Sequence, residues 1–171
     1  MNLEIKSVEE LLAHSISMES EAAERYREIA DAMEVHNNLD VAELFNTLAG
    51  YADKHAGEMQ ERAKDLEIPH IAPWDFAWED GDSPEAADHF QMHYKMTPYH
   101  VLQVALKVEK GAHDFYKKIA TDSTNPEVVK LAKEFAEEES EHVEMLEGWV
   151  GRYPKPDKNW DEDLDPPMMH E

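Results

Sequence analysis

The sequence predicts an all-α protein, a four-helix bundle with one long crossover connection, and three observations lead there. Apolar residues recur at steps of three and four along four stretches, about residues 8–35, 40–66, 98–121 and 126–152. The first two stretches share a residue pattern with the last two. The connections within each pair are short, whereas residues 67–97 between the pairs form a long one, ample to run the length of a helix of roughly 38 Å and return. Two helical hairpins joined in this way make a four-helix bundle with one long connection. Residues 1–152 are expected to form the bundle and residues 153–171 an extended tail.

Ser7 and Glu10 have the spacing of a capping box, and behind them Leu12, Ile16, Glu19, Ala22 or Ala23, Tyr26, Ile29 and Met33 mark one face of the first helix. His36 to Asp40 reads as a turn, with Asp40 and Glu43 as a second capping pair. Val41, Leu44, Leu48, Ala52, His55, Met59 and Ala63 then form the inner face of the second helix. Helical period is lost among Pro69, Pro73 and Gly81, where the aromatics Trp74, Phe76 and Trp78 are expected to pack down over the bundle or else against a partner subunit. Ser83-Pro84 opens a short helix within the crossover, over about residues 84–95.

Thr97-Pro98 starts the third helix, with Val101 or Leu102, Ala105, Glu109, Ala112, Tyr116 and Ile119 inward. Asn125-Pro126 starts the fourth, where Leu131, Phe135, Glu139, His142, Leu146 and Trp149 share a face. A carboxylate and an imidazole thus stand in the middle of an apolar stripe. Burying them without partners costs several kcal/mol, and a metal ion is a partner that suits both. Pro154, Pro156, Pro166 and Pro167 keep the tail extended, and Trp160, Leu164, Met168 and Met169 are its candidate anchors.

The internal repeat sharpens this reading. Glu19, Ala22, Tyr26 and Ile29 have the spacing of Glu109, Ala112, Tyr116 and Ile119, while Val41, Leu44 and His55 match Val128, Leu131 and His142. The repeat puts Glu19 and Glu109 at the midpoints of apolar stripes, as Glu139 is. Glu19, Glu109, Glu139 and His142 are therefore the candidate metal ligands. Tyr26 and Tyr116 lie on the same faces, either within hydrogen-bonding range of the carboxylates or as ordinary core residues.

Composition sets the limits. With 39 acidic against 16 basic residues the formal net charge is −23, which excludes binding to a phosphate backbone or an anionic membrane surface and favours cations. There is no cysteine, so His and carboxylate are the only strong ligands and no disulfide or thiol chemistry is available. No apolar run is long enough to span a bilayer and the N-terminal residues do not read as an export signal, so a cytoplasmic location is expected.

With these residues in place, the sequence resembles the ferritin-like carboxylate proteins, most closely the rubrerythrin-like branch. That family sets one Glu from each of two helices and a Glu-x2-His pair from each of the other two around two iron ions. The resemblance assigns Glu19, Glu109, Glu139, His142 and His55 to those positions, over about residues 8–152. Two departures stand out. Ala52 occupies the position where the pattern has the second paired Glu, and neither Asp53, about 100° round the helix, nor Glu58, one turn beyond His55, replaces it without a distortion such as a π-bulge. The four-cysteine iron site of rubrerythrins is also missing from the chain, so a redox cycle needs an external electron donor or Fe(II) itself as reductant.

What the resemblance implies is a dinuclear oxidoreductase that reduces hydrogen peroxide or O2, or oxidises Fe(II). Two iron ions are the expected cofactor, with Zn or Mn also suited to the ligands, and no haem, flavin or nucleotide is called for. The alternative is a binding or carrier protein for Fe, Zn or Mn, without turnover or with one ion, on a site weakened at Ala52. The apolar-faced bundle is expected to self-associate, most simply as a homodimer. His89 and His93, four apart in the crossover, and His113, four after Glu109, have ligand spacing but read as surface histidines.

Overall fold

The computed structural model describes residues 4–72, 75–76 and 95–160. Its elements are α1 (Val8–Val35), α2 (Leu39–Ala63), α3 (Pro98–Asp122) and α4 (Pro126–Val150). α1 packs mainly on α2 and α3 on α4, and the two hairpins meet where α2 faces α3 and α1 faces α4. This is the four-helix, two-hairpin arrangement that the periodicity predicts.

The caps explain where the helices start. Ser7 Oγ accepts the Glu10 N–H, and the Glu10 carboxylate reaches back to the Lys6 N–H rather than to Ser7 itself. Asn125 Oδ1 accepts the Glu127 N–H ahead of Pro126, and the Thr97 N–H donates to His100 Nδ1 ahead of Pro98. At α2 the expected Asp40 and Glu43 cap does not form. The turn is tighter, because Asn37 takes a left-handed φ of 56° and Asn38 becomes the N-cap, leaving Asp40 in the first helical turn where its charge suits the helix dipole. Asn38 also donates its side-chain amide to the Met96 carbonyl, tying this turn to the residues before α3. α2 ends at Ala63, a few residues short of expectation, and the chain leaves it through a turn at residues 64–66.

Two apolar clusters fill the bundle. One holds Tyr26, Met33, Val41, Phe45, Leu102 and Leu146, from the C-terminal halves of α1 and α4 and the N-terminal halves of α2 and α3. The other, at the opposite end, holds Leu11, Met18, Met59, Tyr116, Val128 and Phe135. Each cluster joins the N-terminal half of one helix to the C-terminal half of its hairpin partner, as antiparallel hairpins require. α2 and α3 contribute the same halves to one cluster, so they run parallel. A connection between parallel neighbours has to travel the length of the bundle.

Phe76 stands edge-on to His14 at 5.0 Å, so the crossover packs against the bundle at that aromatic. Trp74, Trp78, the helix expected over residues 84–95 and the pair His89 and His93 lie outside the described residues. Past α4 the chain turns back, and the Trp160 ring lies 3.8 Å from that of His100, partly buried against the first cluster. Leu164, Met168 and Met169 again fall outside the described part. Among the described residues no helix is long and apolar enough to cross a membrane.

Candidate metal centre

Between the two clusters every helix interrupts its apolar face at the same level. On α1 the break between Met18 and Ala22 holds Glu19, and on α3 the break between Val108 and Ala112 holds Glu109. On α2 His55 stands between Ala52 and Met59, and on α4 Glu139 and His142 stand between Phe135 and Leu146. One polar layer therefore crosses the middle of the bundle. Glu19 and Glu139 are buried, at 4% and 2% exposure, and Glu109, His55 and His142 are half-buried.

The layer has two halves. His142 Nδ1 lies 3.3 Å from Glu109 Oε2 and 3.2 Å from Glu139 Oε2, and one donor atom from each of these side chains falls within 4.8 Å of the others, a spacing that one ion can span. Glu19 Oε1 lies 3.5 Å from His55 Nδ1. The His55 and His142 rings join the halves, stacked at 4.3 Å with 10° between their planes. These two histidines are repeat equivalents, so the stack lies where the two hairpins face each other.

Electrostatics show what the layer lacks. Burial pushes the Glu19 carboxyl up to about 8, helped by the negative charge of Glu109. Burial does the same to Glu139, again to about 8, against the hydrogen bond from His142. Burial opposes a charge on His142, but its hydrogen bonds to Glu109 and Glu139 outweigh that and raise it to about 10. His55 is held below its ordinary value by burial and by the neighbouring His142 cation. The two buried carboxyls are thus pushed towards their neutral forms and His142 towards its charged one, as befits a layer short of positive charge. Hard oxygen donors with borderline nitrogen donors, buried and short of positive charge, fit one or two divalent ions of the Fe, Mn or Zn kind.

The structure thus brings Glu19, His55, Glu109, Glu139 and His142 together. Among the described residues, α2 itself does not supply a substitute for the carboxylate missing at Ala52. α2 is a regular α-helix through this position, Asp53 points outward to an ion pair with Arg27, and Glu58 is exposed. Tyr26 and Tyr116 are fully buried, packed against Phe45 and against Phe115 and Phe135. His113 pairs with its neighbour Asp114.

Glu138 is a residue that the sequence reading passed over. It is half-buried, its carboxyl is raised by burial, and it sits close enough to Glu19 and His55 to act on both electrostatically. Standing about 100° round the helix from Glu139, it falls off the apolar stripe. The run Glu137, Glu138 and Glu139 was the signal available.

The fold and this layer define a ferritin-like protein with a carboxylate and histidine site. Residues 10–77 match the rubrerythrin family and residues 97–169 the ferritin-like domain family. The chain belongs to the ferritin-like superfamily, in its rubrerythrin-like branch. Among solved structures it resembles COG1633, an uncharacterized conserved protein from Magnetospirillum magnetotacticum MS-1. The two are 43% identical over 88% of this chain and 98% of that one, with a TM-score of 0.68. None of the curated proteins matches the chain.

Proposed function

We propose that this protein is a dinuclear oxidoreductase, with iron as its foremost metal, that reduces hydrogen peroxide or O2 or oxidises Fe(II). The observation behind this reading is the pair of half-sites, Glu109 with Glu139 and His142, and Glu19 with His55, joined by imidazoles 4.3 Å apart. Bound there, two iron ions would supply the two electrons that take peroxide to water. Glu109 or Glu139 would be the ligand shared by the ions, His142 and His55 would each serve one ion, and Glu19 would do either. Before loading, Glu19, Glu139 and His142 hold protons that they must release to become ligands. The chain has no cysteine, so electrons would come from a separate donor or from Fe(II).

The apolar clusters above and below close the layer off along the bundle axis. A cavity of about 20 Å³ lies among these side chains, lined by Glu19, His55, Glu109 and His142 among others, where an ion would sit.

A second reading is supported by Ala52: with three carboxylates instead of four, the site would hold metal without turnover, or hold one ion. Peroxide consumption separates the two. The iron-loaded protein, given a chemical reductant, is expected to consume peroxide over many turnovers, and Glu139→Gln to abolish it. Stoichiometric consumption that stops after one equivalent would favour the binding protein.

A further inference from the structure

Glu109, Glu139 and His142 give their half of the layer two carboxylates and an imidazole, whereas Glu19 and His55 give theirs one of each. The repeat locates the difference. Val41, Leu44 and His55 match Val128, Leu131 and His142 at the same offset, so Ala52 stands where Glu139 has its counterpart. Two divalent ions bring four positive charges, and Glu19, Glu109 and Glu139 answer three of them. Neutral imidazoles add no charge, so the Glu19 and His55 half is one carboxylate short.

α4 carries a carboxylate on the side of this half. Two contacts show how α4 lies on α2: the His55 and His142 rings stack at 4.3 Å, and Arg62 pairs with Glu134. Residues four apart share a helix face, and Glu138 lies four residues from both Glu134 and His142. It therefore stands midway along the face that α4 turns to α2, opposite the stretch between His55 and Arg62. Consecutive residues lie about 100° apart round a helix, so α4 presents Glu139 to the core and Glu138 towards α2. Glu138 is half-buried, and its charge acts on both His55 and Glu19. Its cationic neighbours are Arg62, already paired with Glu134, and His55. Glu58 lies on the same stretch of α2, but its side chain is 57% exposed and 3.8 Å from Lys54.

We infer that Glu138 is the fourth carboxylate of the centre, a metal ligand from α4 that completes the Glu19 and His55 half in place of the one absent from α2. The inference rests on the dinuclear reading above. With Glu138 each half holds two carboxylates and one imidazole, and four carboxylates balance two divalent ions. Arg62 would keep Glu134 while Glu138 serves the ion.

Calorimetric titration of the metal-free protein with Zn(II), which has no redox chemistry, tests it. The wild type is expected to bind two ions per chain. Glu138→Gln keeps the shape and removes the charge, and is expected to bind the first ion as the wild type does and the second about 100-fold more weakly, since even groups behind a ligand are worth about 10- to 100-fold. Glu58→Gln removes an equal charge from the facing stretch of α2 and is expected to change the second ion by no more than about 5-fold. The Glu138→Gln loss is expected to persist in about 1 M sodium nitrate, where exposed charges acting through space are screened. A second ion unchanged in Glu138→Gln, a loss no larger than that of Glu58→Gln, or a loss that disappears in salt would overturn the inference and leave two-ion binding standing. A wild type that binds only one ion would overturn the dinuclear reading and the inference with it.

Discussion

Replacing Glu19 by Gln in the metal-free protein should raise its stability, by an amount that depends on pH. The Glu19 carboxyl ordinarily titrates at 4.5 and is pushed up to about 8 by burial and by Glu109. At pH 7 the folded chain keeps this group protonated while the unfolded chain releases the proton. Holding it costs about 3 kcal/mol at pH 7, at about 1.4 kcal/mol per unit above the ordinary value. At pH 5 the same cost falls below about 1 kcal/mol. A raised carboxyl contributes its stability fully below the unfolded value and loses it as pH rises through the folded one, so the wild type weakens across pH 4.5 to 8 relative to the variant. Gln has the same shape, no charge in either state, and an oxygen that still reaches His55. Urea denaturation of both proteins in chelator at pH 5, 6, 7 and 8 should show Glu19→Gln ahead by a margin that widens with pH. A margin independent of pH, or a variant less stable at pH 7, would refute the electrostatic account of this layer.

Three further outcomes are expected. Loading the site at pH 7 should release about two to three protons per chain, from Glu19, Glu139 and His142, readable from calorimetric titrations in buffers of different ionisation enthalpy; release of less than one would contradict the protonated layer. Leu146→Ala, at a fully buried residue that walls the cavity, should cost about 2–5 kcal/mol in urea denaturation, and a loss well under 1 would mean that this wall is not packed. Arg62→Ala removes an ion pair with Glu134 that links α2 to α4, but both side chains are more than a third exposed, so the cost should stay at about 1 kcal/mol or less, and a much larger loss in the same assay would contradict that.

Much of this site was legible in the sequence because the bundle is built from a repeat. Glu19 and Glu109, or His55 and His142, could be paired by spacing alone, and the pairing located the polar layer without knowledge of any contact. Other features depend on geometry between helices, which spacing along one helix does not contain. The grouping of Glu109 with Glu139 and His142, and of Glu19 with His55, follows from which hairpin faces meet. Glu138 stands off its stripe, yet acts on the layer electrostatically through His55 of α2. The Asp40 cap failed for a local reason: Asn37 accepts a left-handed turn and moves the helix start two residues earlier. A cavity beside Ala52 could be read only as a missing carboxylate, and its volume needed the neighbouring helices.

The central claim is that one chain holds two ions, and anaerobic titration of the metal-free protein with Fe(II) to saturation, followed by elemental analysis, tests it most directly. The account predicts saturation at two iron ions per chain, lost in Glu139→Gln, with ferric absorption appearing on addition of peroxide. Saturation at one ion or fewer would contradict the dinuclear mechanism and leave a mononuclear binding protein.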